Sequence, residues 1–169
     1  MDMKKKSNCS LITVLTVLYV MFLVWLILLK LSKPSEIMMM EHRRTINLIP
    51  FHYDVDTSSH LEEVAYNIIV FIPFAIYLKM LGMSCKKIIV TGFAFSFLLE
   101  LMQYVIGIGS TDVTDLIGNT TGTILGVGAY LALSAVFRDK EKMDRVISVI
   151  ALVCTILFGS LITLLLMAN

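Results

Sequence analysis

The sequence predicts an all-α, polytopic membrane helix bundle with five transmembrane helices, its N-terminus inside and its C-terminus outside the cell. Three observations predict this fold class: an excess of apolar residues, five long apolar runs, and an uneven distribution of Lys and Arg between the runs. The chain is 57% hydrophobic and 16% charged, whereas soluble domains are about half apolar and about a quarter charged. A bilayer accommodates so apolar a surface, and water does not.

Five runs are long enough, or nearly so, to cross the bilayer. The hydrocarbon core requires about 20 apolar residues in a helix. Each span must be helical, because an unpaired backbone amide in lipid is costly. We find no internal repeat, so the chain is predicted to be one membrane domain, 1–169. The predicted spans are 11–29, 64–81, 88–106, 116–137 and 146–167.

Several spans carry a distinguishing feature. The first follows the basic residues 4–6, but it is too long for the apolar region of a signal peptide and no cleavage site follows it. We therefore expect an uncleaved anchor. The second contains Asn67 and Pro73, and the proline should kink it. The fourth has small residues at every fourth position, which lets helix backbones approach closely and could also serve association with another membrane protein: Gly118, Gly122 and Gly126.

The basic residues predict the orientation of the spans, because cytoplasmic segments of membrane proteins are enriched in Lys and Arg. With the N-terminus inside, the inner segments hold ten of the 14 basic residues and the outer segments hold four. Reversing the topology would reverse this excess. We therefore predict an inside N-terminus.

The connection 31–63 is predicted to lie outside, and it is too short for a globular domain. It carries all three histidines, His42, His52 and His60, which lack the spacing of a zinc site. We expect solvated side chains, with His52 the exception because Pro50 and Phe51 could hold it against the outer face. We expect no metal and no cofactor. We also expect no nucleic-acid partner, since the chain has no basic face.

Polar residues in the spans are predicted to meet in the outer half of the bundle. Ionisable groups inside a span are costly and indicate a functional site. Spacings of three and four residues place Glu100 with Gln103 on one helix face, and Asp112, Asp115 and Asn119 on another. We predict that they form a ligand-binding site with the polar residues near the outer ends. The candidates are Asn47, His52, Asn67, Glu100, Gln103, Asp112, Asp115 and Asn119.

Structural roles are the alternative for several of these acids. Asp112 and Asp115 could cap a helix start, where carboxylates complement the helix dipole. Glu62, three residues after Ser59, fits a capping box for the second helix. Glu100 could hold helices together as a protonated or amide-paired carboxyl group.

Four segments, in this order, resemble the VanZ-like family of bacterial membrane proteins. They are Asn47–Phe51, Asn67–Phe74, Glu100–Gln103 and Asp112–Gly122. The resemblance covers roughly residues 42–128. Many members carry an arginine before the aspartates, where this chain has Gly109, Ser110 and Thr111. Any mechanism in which that arginine binds an anion is therefore in doubt here.

The resemblance implies a multi-pass protein of the bacterial cell membrane. It also implies low-level resistance to teicoplanin-like glycopeptides that leaves the termini of the peptidoglycan precursor unaltered. Drugs of the teicoplanin type carry a fatty acyl chain, so a membrane protein could hinder their anchoring.

Three functions fit the sequence. The first, which we favour, is a non-enzymatic protein whose outward-facing polar site binds a lipid-linked cell-wall intermediate or the lipoglycopeptide. The second is an enzyme acting on an isoprenoid or phospholipid headgroup, with Mg²⁺ held by Glu100, Asp112 and Asp115. The third is a structural partner of another membrane protein. No complete catalytic constellation is present in the sequence.

Overall fold

The computed structural model describes residues 2–28, 43–51 and 57–168. Within them the chain is all-helical apart from two short strands, which confirms the all-α part of the predicted fold class. The elements in order are α1 (Asp2–Leu28), β1 (Arg43–Asn47), α2 (Thr57–Met80), α3 (Cys85–Ile106), β2 (Ile108–Asp112), α4 (Val113–Val136) and α5 (Lys140–Ala168).

Four of the described helices are long and apolar enough to cross a membrane, and they coincide with the first four predicted spans. The qualifying segments are Ser10–Leu28, Leu61–Met80, Cys85–Ile106 and Val113–Val136. The fifth predicted span, 146–167, lies within α5, which is 29 residues long. Its passage through the bilayer stays a prediction, as does the orientation of the chain.

Gly118, Gly122 and Gly126 of α4 pack against α2, and these two helices make the most extensive contact in the bundle. A Cβ added at Gly122 would collide with the Ile68 carbonyl oxygen and lie 2.9 Å from the Phe71 Cβ. A Cβ added at Gly126 would collide with the Ile72 carbonyl oxygen. These three glycines are called the glycine seam below, and Gly122 and Gly126 are required for the close approach of α2. The seam is covered by α2 of the same chain.

The apolar core lies between α1, α2, α3 and α4. Phe71 and Phe74 of α2 lie at its centre, and the Phe74 ring stacks on Phe95 with the ring centroids 5.4 Å apart. Near Pro73, the Tyr19 hydroxyl donates a hydrogen bond of 2.7 Å to the Val70 carbonyl oxygen. This bond joins α1 to the proline-containing part of α2.

A second contact joins α4 and α5 at the opposite end of the bundle from the strands. The Tyr130 hydroxyl donates a 2.8 Å hydrogen bond to Oδ1 of Asp144, and Met143 is buried beside it. Burial raises the pKa of the Asp144 carboxyl, while the bond from Tyr130 acts to lower it. The contact fixes the start of α5 against the end of α4.

The two strands were not predicted from the sequence. Gly107 ends α3 in the left-handed conformation, with φ of 77°, and its N–H bonds to the Gln103 carbonyl oxygen. The chain then reverses into β2, which pairs in parallel with β1, from Arg43 opposite Ile108 to Asn47 opposite Asp112.

The strands run back alongside α3 into the bundle rather than away from it. The N–H of Asp112 donates to Oε2 of Glu100 at 2.9 Å, so the end of β2 lies level with a residue six positions before the end of α3. This places it about 9 Å below that end. Arg44 joins the start of β1 to α3 by donating a 3.3 Å hydrogen bond to the Val105 carbonyl oxygen.

We predict that Gly122→Ala lowers the free energy of unfolding by at least about 1–3 kcal/mol, because its Cβ meets the backbone of α2. Thermal unfolding of the purified protein in detergent measures the effect. Gly128→Ala is the matched control, since no atom lies within 4 Å of its added Cβ. It should unfold at or above the wild-type temperature. Equal unfolding temperatures for the two variants would contradict this account of the seam.

Candidate functional site

Asn47 and Asp112, the last pair of the strand ladder, join through their side chains. Asn47 Nδ2 donates to Asp112 Oδ2 at 3.0 Å. The other carboxylate oxygen, Oδ1, accepts from the Thr114 N–H at 2.7 Å, so Asp112 is the N-cap of α4. The capping role considered from the sequence is thus present, and the same carboxylate also binds the segment 43–51.

The turn after β1 folds over the start of α4. Asn47 Oδ1 accepts from the Ile49 N–H at 3.1 Å, and Thr114 Oγ1 accepts from the Phe51 N–H at 3.1 Å. Thr114 is 1% exposed. Phe51 has φ of 57°, a left-handed conformation uncommon for a residue other than glycine. Residues 47–51 therefore adopt a specific turn on α4, and His52 lies outside the described residues.

Glu100 is buried, at 3% exposed, and it faces the strands. Its Oε2 accepts from the Asp112 N–H, and its backbone carbonyl accepts from Thr111 Oγ1 at 3.1 Å. A carboxylate that accepts a backbone N–H makes one of the stronger protein hydrogen bonds. These contacts give Glu100 a structural role, which is to hold β2 against α3.

Asn67 and Asp115 join α2 to α4 next to the strands. Asn67 Nδ2 donates to Asp115 Oδ1 at 2.7 Å. Both residues are partly buried, and both border the groove between α1, α2 and α5 that is described below. The predicted meeting of the second and fourth spans is therefore seen in a direct side-chain contact.

Gln103 and Asn119 are buried amides with different neighbours. Gln103, 3% exposed, donates from Nε2 to the Ile27 carbonyl oxygen of α1 at 2.9 Å. Asn119, fully buried, donates from Nδ2 to Ser96 Oγ of α3 at 2.9 Å. Among the described residues, neither amide oxygen has a hydrogen-bond partner. Gln103 borders the groove, whereas Asn119 lies between α3 and α4, away from Asp115 and its partner.

A groove of about 1270 Å³ lies between α1, α2 and α5, with Gln103 of α3 and Asp115 of α4 at one end. On α2 it extends from Glu62 to Tyr77, a length of about 22 Å. Its walls are mainly aliphatic and aromatic. The carboxylates and amides gather at the end near the strands: Glu62, Glu63, Asn67, Gln103 and Asp115.

Sequence patterns did not single out Glu62 and Glu63 as site residues. Glu62 was interpreted as part of a capping box, and the side chain of Ser59 lies outside the described part of the chain. A signal was nevertheless present, since two adjacent acids precede an apolar span one to two turns from Asn67. Across residues 2–28, 43–51 and 57–168, no three His, Cys, Asp or Glu side chains form a group that could hold a metal ion.

Comparison with known proteins identifies the family. The family model described as VanZ/LLP1 matches residues 16–138. The chain belongs to the VanZ/LLP1 family. It is 36% identical to Protein VanZ of Enterococcus faecium over 121 residues, which cover 69% of this chain and 70% of that protein. No solved structure matches the chain.

The VanZ/LLP1 match includes both strands and every polar residue at the end of the groove. The resemblance seen in four sequence segments is thereby confirmed over most of the chain. Helix α5, which forms one wall of the groove, follows the matched residues. Together, the family and the four candidate spanning helices identify a membrane protein.

We predict that Asn47 and Asp112 are energetically coupled. In a double-mutant cycle of Asn47→Ala and Asp112→Ala, the coupling energy should be about 0.5–3 kcal/mol, because each single change removes the same hydrogen bond. Denaturant unfolding in detergent measures it. Asn119→Ala with Asp112→Ala is the control cycle and should be additive, since Asn119 bonds to Ser96 instead. Additivity of the Asn47 cycle would show that the bond does not stabilise the turn.

Proposed function

We propose that this membrane protein protects bacteria against teicoplanin-like glycopeptides by binding an amphiphile in an outward-facing groove. The amphiphile is a lipid-linked cell-wall intermediate or the lipoglycopeptide itself, since both join an apolar chain to a polar head. The observation that carries the proposal is the groove between α1, α2 and α5, apolar along its length and polar at one end.

The walls of the groove suit an apolar chain. Leu18 and Phe22 of α1 face Ile69 and Ile76 of α2 across it, and Ile150 of α5 completes the wall. Ligand pockets are typically apolar with a few polar groups that fix orientation, and this groove follows that pattern. An acyl chain that enters the groove from the bilayer is already out of water, so the groove gains van der Waals packing against the chain rather than hydrophobic burial. The few polar groups at one end fix the orientation of the bound molecule.

The proposal includes a topology of five spans with the N-terminus inside and the C-terminus outside, in the bacterial cell membrane. It is supported by the excess of basic residues at the ends opposite to the strands. Lys79, Lys86 and Lys87 flank the connection between α2 and α3, and Arg138 and Lys140 flank that between α4 and α5. In this orientation the polar end of the groove lies in the outer leaflet, where cell-wall intermediates and the antibiotic are met.

Cysteine labelling in intact cells tests the topology. In a chain with Cys9 and Cys154 replaced by Ser, Leu48→Cys should react with a membrane-impermeant maleimide, because Leu48 is 74% exposed near the strands. With Leu48 intact, Cys85 should react only after permeabilisation. A phosphatase fused after Asn169 should be active, which tests the fifth span. Labelling of Cys85 in intact cells, or an inactive fusion, would contradict the proposed topology.

Two glycine substitutions test whether the groove carries the function. Gly159 borders the groove and has no atom within 4 Å of an added Cβ, so Gly159→Trp should fill the groove without disturbing the helix packing. We expect it to reduce teicoplanin resistance to the level of cells without the protein. Gly128→Trp, equally open but away from the groove, is the matched control and should keep resistance. The readout is the minimal inhibitory concentration at equal protein levels in the membrane. Full resistance in the Gly159 variant would refute the role of the groove.

A further inference from the structure

The groove is closed by packed side chains at the end opposite the strands. Tyr77 of α2 is buried there in a cluster with Leu15 of α1 and Met143 of α5. Leu15 and Met143 lie behind the groove and do not line it. The groove therefore ends on a floor, which consists of three residues that line the groove and belong to this cluster or pack against it: Tyr19, Tyr77 and Ile147.

Contacts between α1 and α2 hold the floor in place. The rings of Tyr19 and Tyr77 lie with their centroids 5.3 Å apart, and the Tyr19 hydroxyl donates its 2.7 Å hydrogen bond to the Val70 carbonyl oxygen. Tyr77 is only 6% exposed. Because a closely packed interior accepts added volume only at a cost, a chain that reaches the floor cannot easily pass beyond it.

Helix α5 presents a face of small residues above the floor. Ala151, Thr155 and Gly159 follow Ile147 at intervals of four residues, so the four lie on one face of the helix. All four line the groove. The Thr155 hydroxyl donates to the Ala151 carbonyl oxygen of its own helix at 2.8 Å. On this face the first large side chain is therefore Ile147, at the floor.

The distance from the polar end to the floor sets a chain length. Between Glu62 and Tyr77, α2 rises by about 22 Å. Carbon–carbon bonds of about 1.5 Å advance an extended alkyl chain by about 1.3 Å per carbon, so about 17 carbons span this distance. A chain that comes from the bilayer gains van der Waals packing only along the part that contacts the protein. Carbons beyond that length would have to leave the groove sideways into lipid.

We infer that the groove is a length ruler for a straight acyl chain of up to about 17 carbons, with the head at the polar end and the chain end directed at the floor. The inference rests on the proposed function, because it assumes that the groove binds an amphiphile. It also narrows that proposal to the acyl chain of a lipoglycopeptide. The polyprenyl chain of a lipid-linked cell-wall intermediate is longer than the groove and would leave most of its length in the bilayer.

Alkyl glucosides with a photoreactive diazirine at the chain end test the inference. Each is added to the full-length protein in lipid nanodiscs, and mass spectrometry identifies the labelled residues after illumination. The hexadecyl probe should label the floor, at Tyr77 and Ile147. Each shortening by four carbons, about 5 Å, should move the label by about one helical turn towards the strands. The dodecyl probe should thus label near Ala151 and the octyl probe near Thr155. An icosyl probe should label no deeper than the hexadecyl probe.

Obstacles on α5 assign the reading of length to the groove. Thr155→Phe places a ring about 12 Å above the level of Ile147, so the hexadecyl probe should lose its labelling of the floor and label near residue 155 instead. Ala151→Phe should stop the same probe about one turn deeper. Val153→Phe is the matched control, because Val153 is 50% exposed on α5 and does not line the groove. In that variant the hexadecyl label should still reach the floor.

The outcomes separate the ruler from the proposed function. Labelling at one level by all chain lengths, labelling of Leu15 or Met143 by the icosyl probe, or unchanged labelling in Thr155→Phe and Ala151→Phe would overturn the ruler and leave amphiphile binding in place. A farnesyl glucoside, whose main chain matches dodecyl in length, would overturn the choice of a straight chain if it labelled the groove more strongly than the dodecyl probe. Absence of groove labelling by every probe would also overturn the ruler. It would count against the proposed function only if Gly159→Trp kept full resistance as well.

Discussion

The hydrogen bond from the Asp112 N–H to the Glu100 carboxylate, 2.9 Å long, sets the level at which the chain re-enters the bundle. It fixes the end of β2 against α3, and α4 begins at the next residue. The position of every later residue along α4 follows from that start. Asp115 is thereby level with Asn67 of α2, and Gly122 lies against the Ile68 carbonyl. A start one residue later would shift α4 by about 1.5 Å and rotate it by about 100°. The glycine seam would then no longer face α2.

Non-helical backbone within a membrane bundle requires partners for its polar groups, because lipid supplies none. The parallel ladder between β1 and β2 satisfies part of this requirement, and side chains satisfy more. Asn47 Oδ1 and Thr114 Oγ1 accept the Ile49 and Phe51 N–H groups of the following turn. In the segment Asn47–Phe51, which resembles the family, the polar residue Asn47 accepts a hydrogen bond from the backbone of the turn. The apolar side chains of this segment, Leu48, Ile49 and Phe51, remain exposed, as suits a segment at a lipid surface.

Much of the bundle could be predicted from the sequence, because membrane spans and small-residue seams depend on local composition. The runs that became the first four helices, the close approach at Gly122 and the polar residues at the strand end of the bundle all follow from it. The strands could not be predicted, since Arg43–Asn47 has no strand periodicity and its partner lies 65 residues away. Asp115 and Asn119 share a face by spacing, yet one contacts α2 and the other α3. Residue spacing shows which side chains lie on one face of a helix. It does not show which neighbouring helix each of those side chains contacts. The groove was missed for the same reason, as α1, α2 and α5 form it together.

The departure from the family pattern at Gly109, Ser110 and Thr111 has a consequence for the chemistry of the strand end of the bundle. An arginine there would bring a positive charge to the strand that precedes Asp112 and Asp115, and so would favour an anionic ligand. This chain has no basic residue between Lys87 and Arg138, so β2 and the adjoining ends of α3 and α4 supply no positively charged side chain to the site. The remaining described polar groups of the groove, on α2, are again carboxylates and an amide. Among the described residues, the polar end of the groove is therefore lined by carboxylates and amides, and the 2.7 Å bond from Asn67 to Asp115 already uses one donor and one acceptor of that set.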